Sequence, residues 1–190
     1  MMFKNDIPDK KLIQGCIARK RKFQELLYAK FSPKMFSICL RYASDYHSAE
    51  DILQEGFVKI FKNVHKFRFE GSFEGWIRRI FVNTAIEHFR KSVPMYPIMD
   101  VNNSHFDVID DHTIENLAAK DLMKMVQSLS PGYRTVFNLY VIEGYSHKEI
   151  ADMLEISEGT SKSQLARARY ILQKKVHELY NSNTVKEAYV

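Results

Sequence analysis

Cysteine, histidine pairs and long apolar runs are scarce in this chain of 190 residues. Two cysteines, Cys16 and Cys39, cannot build a disulfide framework or a four-cysteine zinc site, and the seven histidines are scattered along the sequence. No apolar run reaches the roughly 18–20 residues of a membrane span, and the N-terminal residues lack the apolar core of a signal peptide. We therefore expect a cytoplasmic protein with no metal, no cofactor and no membrane insertion.

Glycine and proline are also few, which argues against a protein built from many turns. The chain has 7 glycines and 5 prolines, whereas helix-favouring residues are abundant. Apolar residues recur mostly at helical spacing, and strand-like alternation is hard to find. The composition therefore predicts an all-α protein.

Positive charge is missing from one internal segment. Residues 92–119 contain five acids and no lysine or arginine. On either side, residues 1–91 carry 18 lysines and arginines against 10 acids, and residues 120–190 carry 10 against 8. This pattern predicts a domain at 1–93, an acidic linker at 94–119 and a second domain at 120–190. The basic flanks suit a polyanionic partner.

Four helices are predicted in the first domain. Apolar periodicity predicts two helices within residues 9–43, with Pro33 at a turn or a helix start. A third helix, at about 48–64, begins after Ser48. Glycines at 71 and 75 interrupt the pattern, and a fourth helix follows at about 73–91 and ends before Pro94.

The segment 67–91 combines six aromatic and five cationic side chains around this glycine-containing turn. Aromatic faces stack on exposed bases and cations follow phosphates, so the segment suits single-stranded or locally opened nucleic acid. Aromatic residues at helical spacing are more often core residues. We therefore expect part of the segment to be buried, namely Trp76, Ile77, Ile80 and Phe81.

The second domain contains the helix start and stop signals typical of a helix-turn-helix. Ser130 and Pro131 begin one helix and Gly144 ends it. A capping box from Ser146 to Glu149 opens a short helix, and Ser157 caps a long one at about 158–179. Such units place the start of the second helix in the major groove of DNA. At 100° per residue, the outward face of that helix carries Ser163, Arg167, Tyr170 and Lys174, opposite Leu165, Ala168, Leu172 and Val176.

One signal for melted DNA and one for duplex DNA on the same chain indicate promoter opening. The sequence resembles bacterial sigma factors of the extracytoplasmic-function (ECF) group, the compact two-domain members of the sigma-70 family. The resemblance covers about residues 9–180 and rests on three motifs, at 49–57, 73–91 and 146–169. It implies two small helical domains, sigma region 2 and sigma region 4, joined by the acidic linker.

The resemblance also implies partners and residue roles. The partners are core RNA polymerase, promoter DNA and a regulating anti-sigma factor, with no small-molecule substrate and no catalytic residues. Polymerase would contact Asp51, Gln54, Glu55 and Phe57. The minus-10 element would meet a loop and the following helix, at Phe67, Arg68, Phe69, Glu70, Ser72, Arg78, Arg79, Asn83, Glu87, His88, Arg90 and Lys91. The minus-35 element would meet Lys162, Ser163, Gln164, Ala166 and Arg167.

Two further expectations concern the linker and Gln164. The linker would thread through polymerase, where Asp107, Asp110 and Asp111 would act as a mimic of nucleic acid. Gln164 stands where many members of the family have arginine. Since glutamine pairs with adenine and arginine with guanine, this position is expected to influence the minus-35 preference.

Two other classes of function remain open from the sequence. A free-standing helix-turn-helix regulator would explain residues 120–180 but leaves 48–91 without a role. An enzyme acting on nucleic acid would need clusters of carboxylates or histidines for metal or acid–base chemistry, and no such cluster is evident in the sequence.

Overall fold

The computed structural model of the chain describes residues 7–92 and 117–187, and every element in those ranges is a helix. The chain divides into two compact units, Met1–His88 and Phe89–Val190. The prediction of an all-α protein with two helical domains is confirmed. Most of the predicted linker, with Asp107, Asp110 and Asp111, lies outside the described residues, and its last three positions belong to a helix that begins at Leu117.

The first unit holds three helices and most of a fourth, with one 3-10 turn between the third and the fourth. They are α1 (Asp9–Ile17), α2 (Arg21–Tyr42), α3 (Tyr46–Asn63), the 3-10 turn Val64–Lys66 and α4 (Phe73–Ser92). The second unit holds α5 (Leu117–Gln127), α6 (Pro131–Phe137), which continues as the π-helix Asn138–Ile142, α7 (His147–Leu154) and α8 (Glu158–Glu187).

Helix α2 runs without a break through Pro33, so the prediction of a turn or helix start there is wrong. Proline lacks the backbone N–H that would bond the carbonyl one turn earlier, and this loss destabilises a helix interior. Phe31 and Met35 lie on either side of Pro33 and are only 4% and 1% exposed. Burial of this apolar face keeps the helix continuous across the proline.

Helix α3 begins two residues earlier than predicted because Asp45, not Ser48, is its N-cap. The Asp45 Oδ1 atom accepts a hydrogen bond of 2.7 Å from the Ser48 backbone N–H. Ser48 therefore lies in the first turn, where its N–H is one of the groups that need a capping acceptor. Both residue types favour N-caps, and the sequence alone does not separate them.

Each unit has its own apolar core. In the first unit the side chains that are at most 2% exposed include Leu12, Ile13, Leu27, Met35, Ile52, Ile60, Ile77 and Phe81. Burial raises the pKa of the Cys16 thiol to about 11 and that of the Cys39 thiol to about 12, so both remain protonated at neutral pH. In the second unit the core includes Leu129, Val136, Leu139, Ile150 and Ala168.

The core of the second unit also holds a charged side chain. Arg134 is 1% exposed, and its Nη1 donates a hydrogen bond of 2.8 Å to the Gln127 carbonyl. This bond ties α6 to the end of α5. Across both described ranges, no helix has the length and apolar character needed to cross a membrane.

Candidate nucleic-acid interfaces

A pocket of about 490 Å³ opens between the loop that precedes α4 and the first turns of α4. It is lined by Lys66, Phe67, Arg68, Glu70, Ser72, Gly75, Trp76 and Arg79. Its volume lies in the range of small-molecule sites, which combine apolar walls with a few polar groups. The pocket can therefore hold a nucleotide, because its aromatic walls can stack on the base and its three cations can bind the phosphate. It also contains one carboxylate.

The aromatic side of this pocket is built around Phe67. The Phe67 ring is 8% exposed, with centroids 5.2 Å from Phe69, 5.0 Å from Phe73 and 5.7 Å from Trp76. The sequence predicts Phe67 as a DNA contact and Trp76 as core, and the structure corrects the second. Phe67 is largely buried and supports the loop, and both Phe67 and the half-buried Trp76 line the pocket.

Phe69 is the exposed aromatic ring of the loop. It is 50% exposed and has a backbone φ of 60°, in the left-handed region that costs energy for a residue with a Cβ. The ring nevertheless contacts Phe67 edge-on. The loop therefore presents an aromatic face to solvent at a position where glycine would be less strained.

Helix α4 separates buried and exposed residues as the periodicity predicts. Ile77 and Phe81 are fully buried, whereas Ile80 is only half-buried. The exposed members of the predicted minus-10 set on α4 are Arg79, Asn83, Glu87, Arg90 and Lys91, and Arg78 and His88 are half-buried. Positions 79, 83 and 87 are spaced by four residues and share one helical face. This face continues from the pocket at Arg79 along α4.

Lys59 of α3 approaches this face of α4. Its Nζ lies 2.8 Å from Glu87 and 3.0 Å from Glu55, and it donates to Thr84 Oγ1 at 3.2 Å. Partial burial lowers the pKa of Lys59, but the hydrogen bonds and charges of Glu87 and Glu55 together raise it above its ordinary value. The ammonium therefore stays charged at neutral pH. The spacing of four residues between Glu55 and Lys59 is a sequence signal for their pair within α3, whereas the contacts with Glu87 and Thr84 have no local sequence signal.

The predicted polymerase-binding residues on α3 do not all reach the surface. Asp51 and Gln54 are exposed and Glu55 is half-buried beside Lys59. Phe57 is 3% exposed and packs between the rings of Tyr28, Phe61 and Phe81, with centroids 4.5, 6.0 and 5.3 Å away. The prediction of Phe57 as a direct contact is corrected, because the side chain is part of the core.

The helix-turn-helix consists of α7, the three residues at 155–157 and α8. The predicted capping box is present: Ser146 N donates to Glu149 Oε2 at 2.8 Å, and Glu149 N donates to Ser146 Oγ at 3.3 Å. Ser157 Oγ accepts from Thr160 N at 2.9 Å at the start of α8. Local capping therefore defines both helix starts, as the sequence predicts.

The predicted minus-35 residues lie on the outward face of α8. Lys162, Ser163, Ala166 and Arg167 are exposed and Gln164 is half-exposed, while Leu165 and Ala168 are 3% and 0% exposed. Sequence reasoning missed the contact that joins the two helices, a 2.9 Å hydrogen bond between His147 Nδ1 and Ser161 Oγ. Ser161 falls on the same helical side as Leu165 and Ala168, and this spacing was the available signal. Among the described side chains, no group of three or more histidines, cysteines or acids could hold a metal ion.

Comparison with known proteins matches two family models to separate parts of the chain. The family model for Sigma-70 region 2 matches residues 27–93, and the one for Sigma-70, region 4 matches residues 119–172. The RNA polymerase sigma-H factor of Pseudomonas aeruginosa is 26% identical over 183 residues, covering 90% of this chain and 95% of that protein. The ECF RNA polymerase sigma factor SigW of Bacillus subtilis is 29% identical over 162 residues, covering 78% and 86%.

A solved structure agrees on the fold. The sigma factor RpoE of Bartonella quintana, in complex with the anti-sigma factor NepR, matches 80% of this chain and 96% of its own, with a TM-score of 0.51 and 22% identity. With both regions matched in order, the chain belongs to the sigma-70 family of RNA polymerase sigma factors. Within this family it is an ECF sigma factor, a transcription initiation factor and not an enzyme.

Proposed function

We propose that this ECF sigma factor recognises promoters through two separate DNA-binding surfaces and docks on core RNA polymerase through a third. The observation that carries the proposal is the pocket beside the exposed face of α4. The pocket offers aromatic walls and cations in one place. A base that has left the duplex needs this combination.

The pocket would capture a base of the minus-10 element. Flipping a base costs a few kcal/mol of unstacking, and stacking on one aromatic ring returns about 1–3 kcal/mol. Trp76 and Phe67 provide the rings that line the pocket, and the exposed Phe69 ring of the same loop can stack on a base outside it. Glu70 and Ser72 can bond base edges. Lys66, Arg68 and Arg79 would bind the flanking phosphates. Promoter opening by this route uses binding energy alone.

Helix α8 would read the minus-35 element in the major groove. Its outward residues include Arg167 and Gln164. Arginine side chains commonly pair with guanine and glutamine side chains with adenine. Lys162 and Ser163 lie in the first turns, where recognition helices meet DNA. The capping contacts at the starts of α7 and α8 define where each helix of the helix-turn-helix begins.

The acidic edge of α3 would bind core polymerase. Asp51, Gln54 and Glu55 stand on an otherwise basic unit, and an acidic edge repels DNA but suits a basic protein surface.

We also propose that an anti-sigma factor binds and regulates this protein in the cytoplasm, because the similar sigma factor RpoE of Bartonella quintana forms a complex with the anti-sigma factor NepR. The acidic linker would enter polymerase as a mimic of nucleic acid.

Run-off transcription with core polymerase and fragmented genomic DNA tests the proposal. We expect specific starts that depend on the protein, and their absence with a folded protein would refute it. Asn83→Ala should abolish transcription from duplex promoters, while a template melted in advance restores part of it. Gln14→Ala, which changes an exposed amide on α1, should behave like the natural chain.

A further inference from the structure

One ammonium group joins the helix proposed to bind polymerase to the helix proposed to read the minus-10 element. Lys59 Nζ contacts Glu55 on its own helix and both Thr84 and Glu87 on α4. The Lys59 side chain is 29% exposed, whereas Glu55 and Glu87 are 38% and 50% exposed. Thr84 is fully buried and itself donates to the Ile80 carbonyl. Lys59 is therefore held at the α3–α4 contact by acceptors from both helices.

The position of Glu87 makes this contact important for DNA. Glu87 lies one helical turn after Asn83, on the exposed face of α4. A carboxylate on a surface that meets phosphates repels them, and the repulsion acts over about 10 Å at 0.1 M salt. The Lys59 ammonium, 2.8 Å from Glu87 and 3.0 Å from Glu55, offsets part of this charge.

We propose that Lys59 is a positioning residue for promoter recognition, which offsets part of the charge of Glu87 beside Asn83 and holds its carboxylate against α3. The inference rests on the proposed minus-10 surface. It assigns Glu87 a role different from the DNA contact that the family resemblance implies. Glu87 serves as the anchor of Lys59 on α4, and the DNA-facing surface owes its low negative charge to this pair.

The first experiment measures binding of assembled holoenzyme to a promoter fragment at two salt concentrations. Lys59→Met keeps the length of the apolar stem and removes the charge. We expect binding about tenfold weaker than the natural chain at about 0.05 M salt and a ratio closer to one at about 0.15 M, where the screening length is about 8 Å. Lys59→Arg, which keeps the charge, should retain most of the affinity. A deficit that does not change with salt would overturn the proposal.

Two double variants separate an effect on DNA from an effect on folding. Lys59→Met leaves two carboxylates without their ammonium, Glu55 on α3 and Glu87 on α4. Adding Glu87→Gln should restore DNA binding, whereas adding Glu55→Gln should not, although each removes one carboxylate. Because Glu55 lies on the proposed polymerase-binding edge, both variants are compared only as holoenzyme whose assembly has been verified. Equal recovery in both would mean that Lys59 only balances charge within the fold, and the proposal would be wrong.

Two single variants complete the test. If Lys59→Met does not fold, the single variant Glu87→Gln tests the proposal. This variant should bind DNA as well as or better than the natural chain. A loss of fivefold or more would identify Glu87 as a DNA contact and overturn the proposal. Asn83→Ala is measured in parallel. If it binds like the natural chain, the minus-10 surface itself is refuted and the role of Lys59 falls with it. If Asn83→Ala weakens binding and Lys59→Met does not, only the role of Lys59 is refuted.

Discussion

Gly56 of α3 lies directly against the ring of Phe81 of α4. A Cβ placed on Gly56 would be 2.2 Å from Phe81 Cε1, and the Phe81 side chain is fully buried. Phe57, next along α3, meets the same ring with a centroid distance of 5.3 Å. The absence of a side chain at position 56 therefore allows close approach of the helix proposed to bind polymerase and the helix proposed to read DNA.

Gly56→Ala should destabilise the first unit. Alanine improves helix propensity by about 1 kcal/mol, but a methyl group forced into a packed core costs about 1–3 kcal/mol or more. Because an added Cβ would clash with a buried ring, we expect a cost at the upper end of this range. We expect a net loss of about 1–2 kcal/mol in the free energy of unfolding, measured with urea and the fluorescence of Trp76, the one tryptophan of the chain.

Gly75→Ala is the control for this substitution. It lies in the first turn of α4, where the nearest atom to an added Cβ is Ser72 Cβ at 3.7 Å, an ordinary contact. This variant should be as stable as the natural chain or more stable. Equal stability of the two alanine variants would contradict the close packing at Gly56.

Local chemistry explains why part of the fold was predictable from the sequence. The capping box at Ser146, the cap at Ser157 and the end at Gly144, with φ of 79°, each depend on residues within four positions of one another. Such signals are complete in a short stretch of sequence. The outward face of α8 was predictable for a similar reason, because a regular helix fixes which residues share a side.

Tertiary packing explains what was not predictable. Phe57, Phe67 and Trp76 are all aromatic residues in helical or loop segments, and the sequence does not rank them by burial. Phe57 and Phe67 are buried because rings from other parts of the chain surround them, whereas Trp76 is only half-buried at the pocket that Phe67 also lines. The continuous α2 through Pro33 has the same origin, since long-range burial outweighed a local breaking signal.

Phe67 and Phe69 should respond differently to truncation. Phe67→Ala removes a ring that is 8% exposed and should lower the free energy of unfolding by about 3 kcal/mol. Phe69→Ala removes a ring that is 50% exposed, so stability should change little. Promoter opening by the Phe69→Ala variant should fall about tenfold, since stacking on one base is worth about 1–3 kcal/mol. Urea unfolding and permanganate footprinting of melted promoter DNA measure the two effects. Normal opening with Phe69→Ala would exclude its ring as a stacking surface.

The capping box predicts a dependence of stability on acid. The Ser146 hydroxyl and then the Ser146 backbone N–H bond the carboxylate and hold the pKa of Glu149 below its ordinary value of 4.5. A lowered pKa in the folded state stabilises the fold above the unfolded value, and this contribution is lost as pH falls from about 4.5 through the folded value. Glu149→Gln should therefore show a smaller fall in melting temperature over that range. Glu158→Gln, which changes an exposed acid on α8, is the control.

Gln164→Arg should change the base preference at the minus-35 element. Arginine bonds guanine O6 and N7 in the major groove, whereas glutamine bonds adenine, and one such pair discriminates by about 1–3 kcal/mol. Selection from a promoter library randomised at minus-35 should recover guanine at one position where the natural chain recovers adenine. Gln173→Arg adds the same charge nine residues later, on the opposite side of α8. This control should leave the preference unchanged. A shift in both variants would show that added charge, and not contact with a base edge, sets the selection.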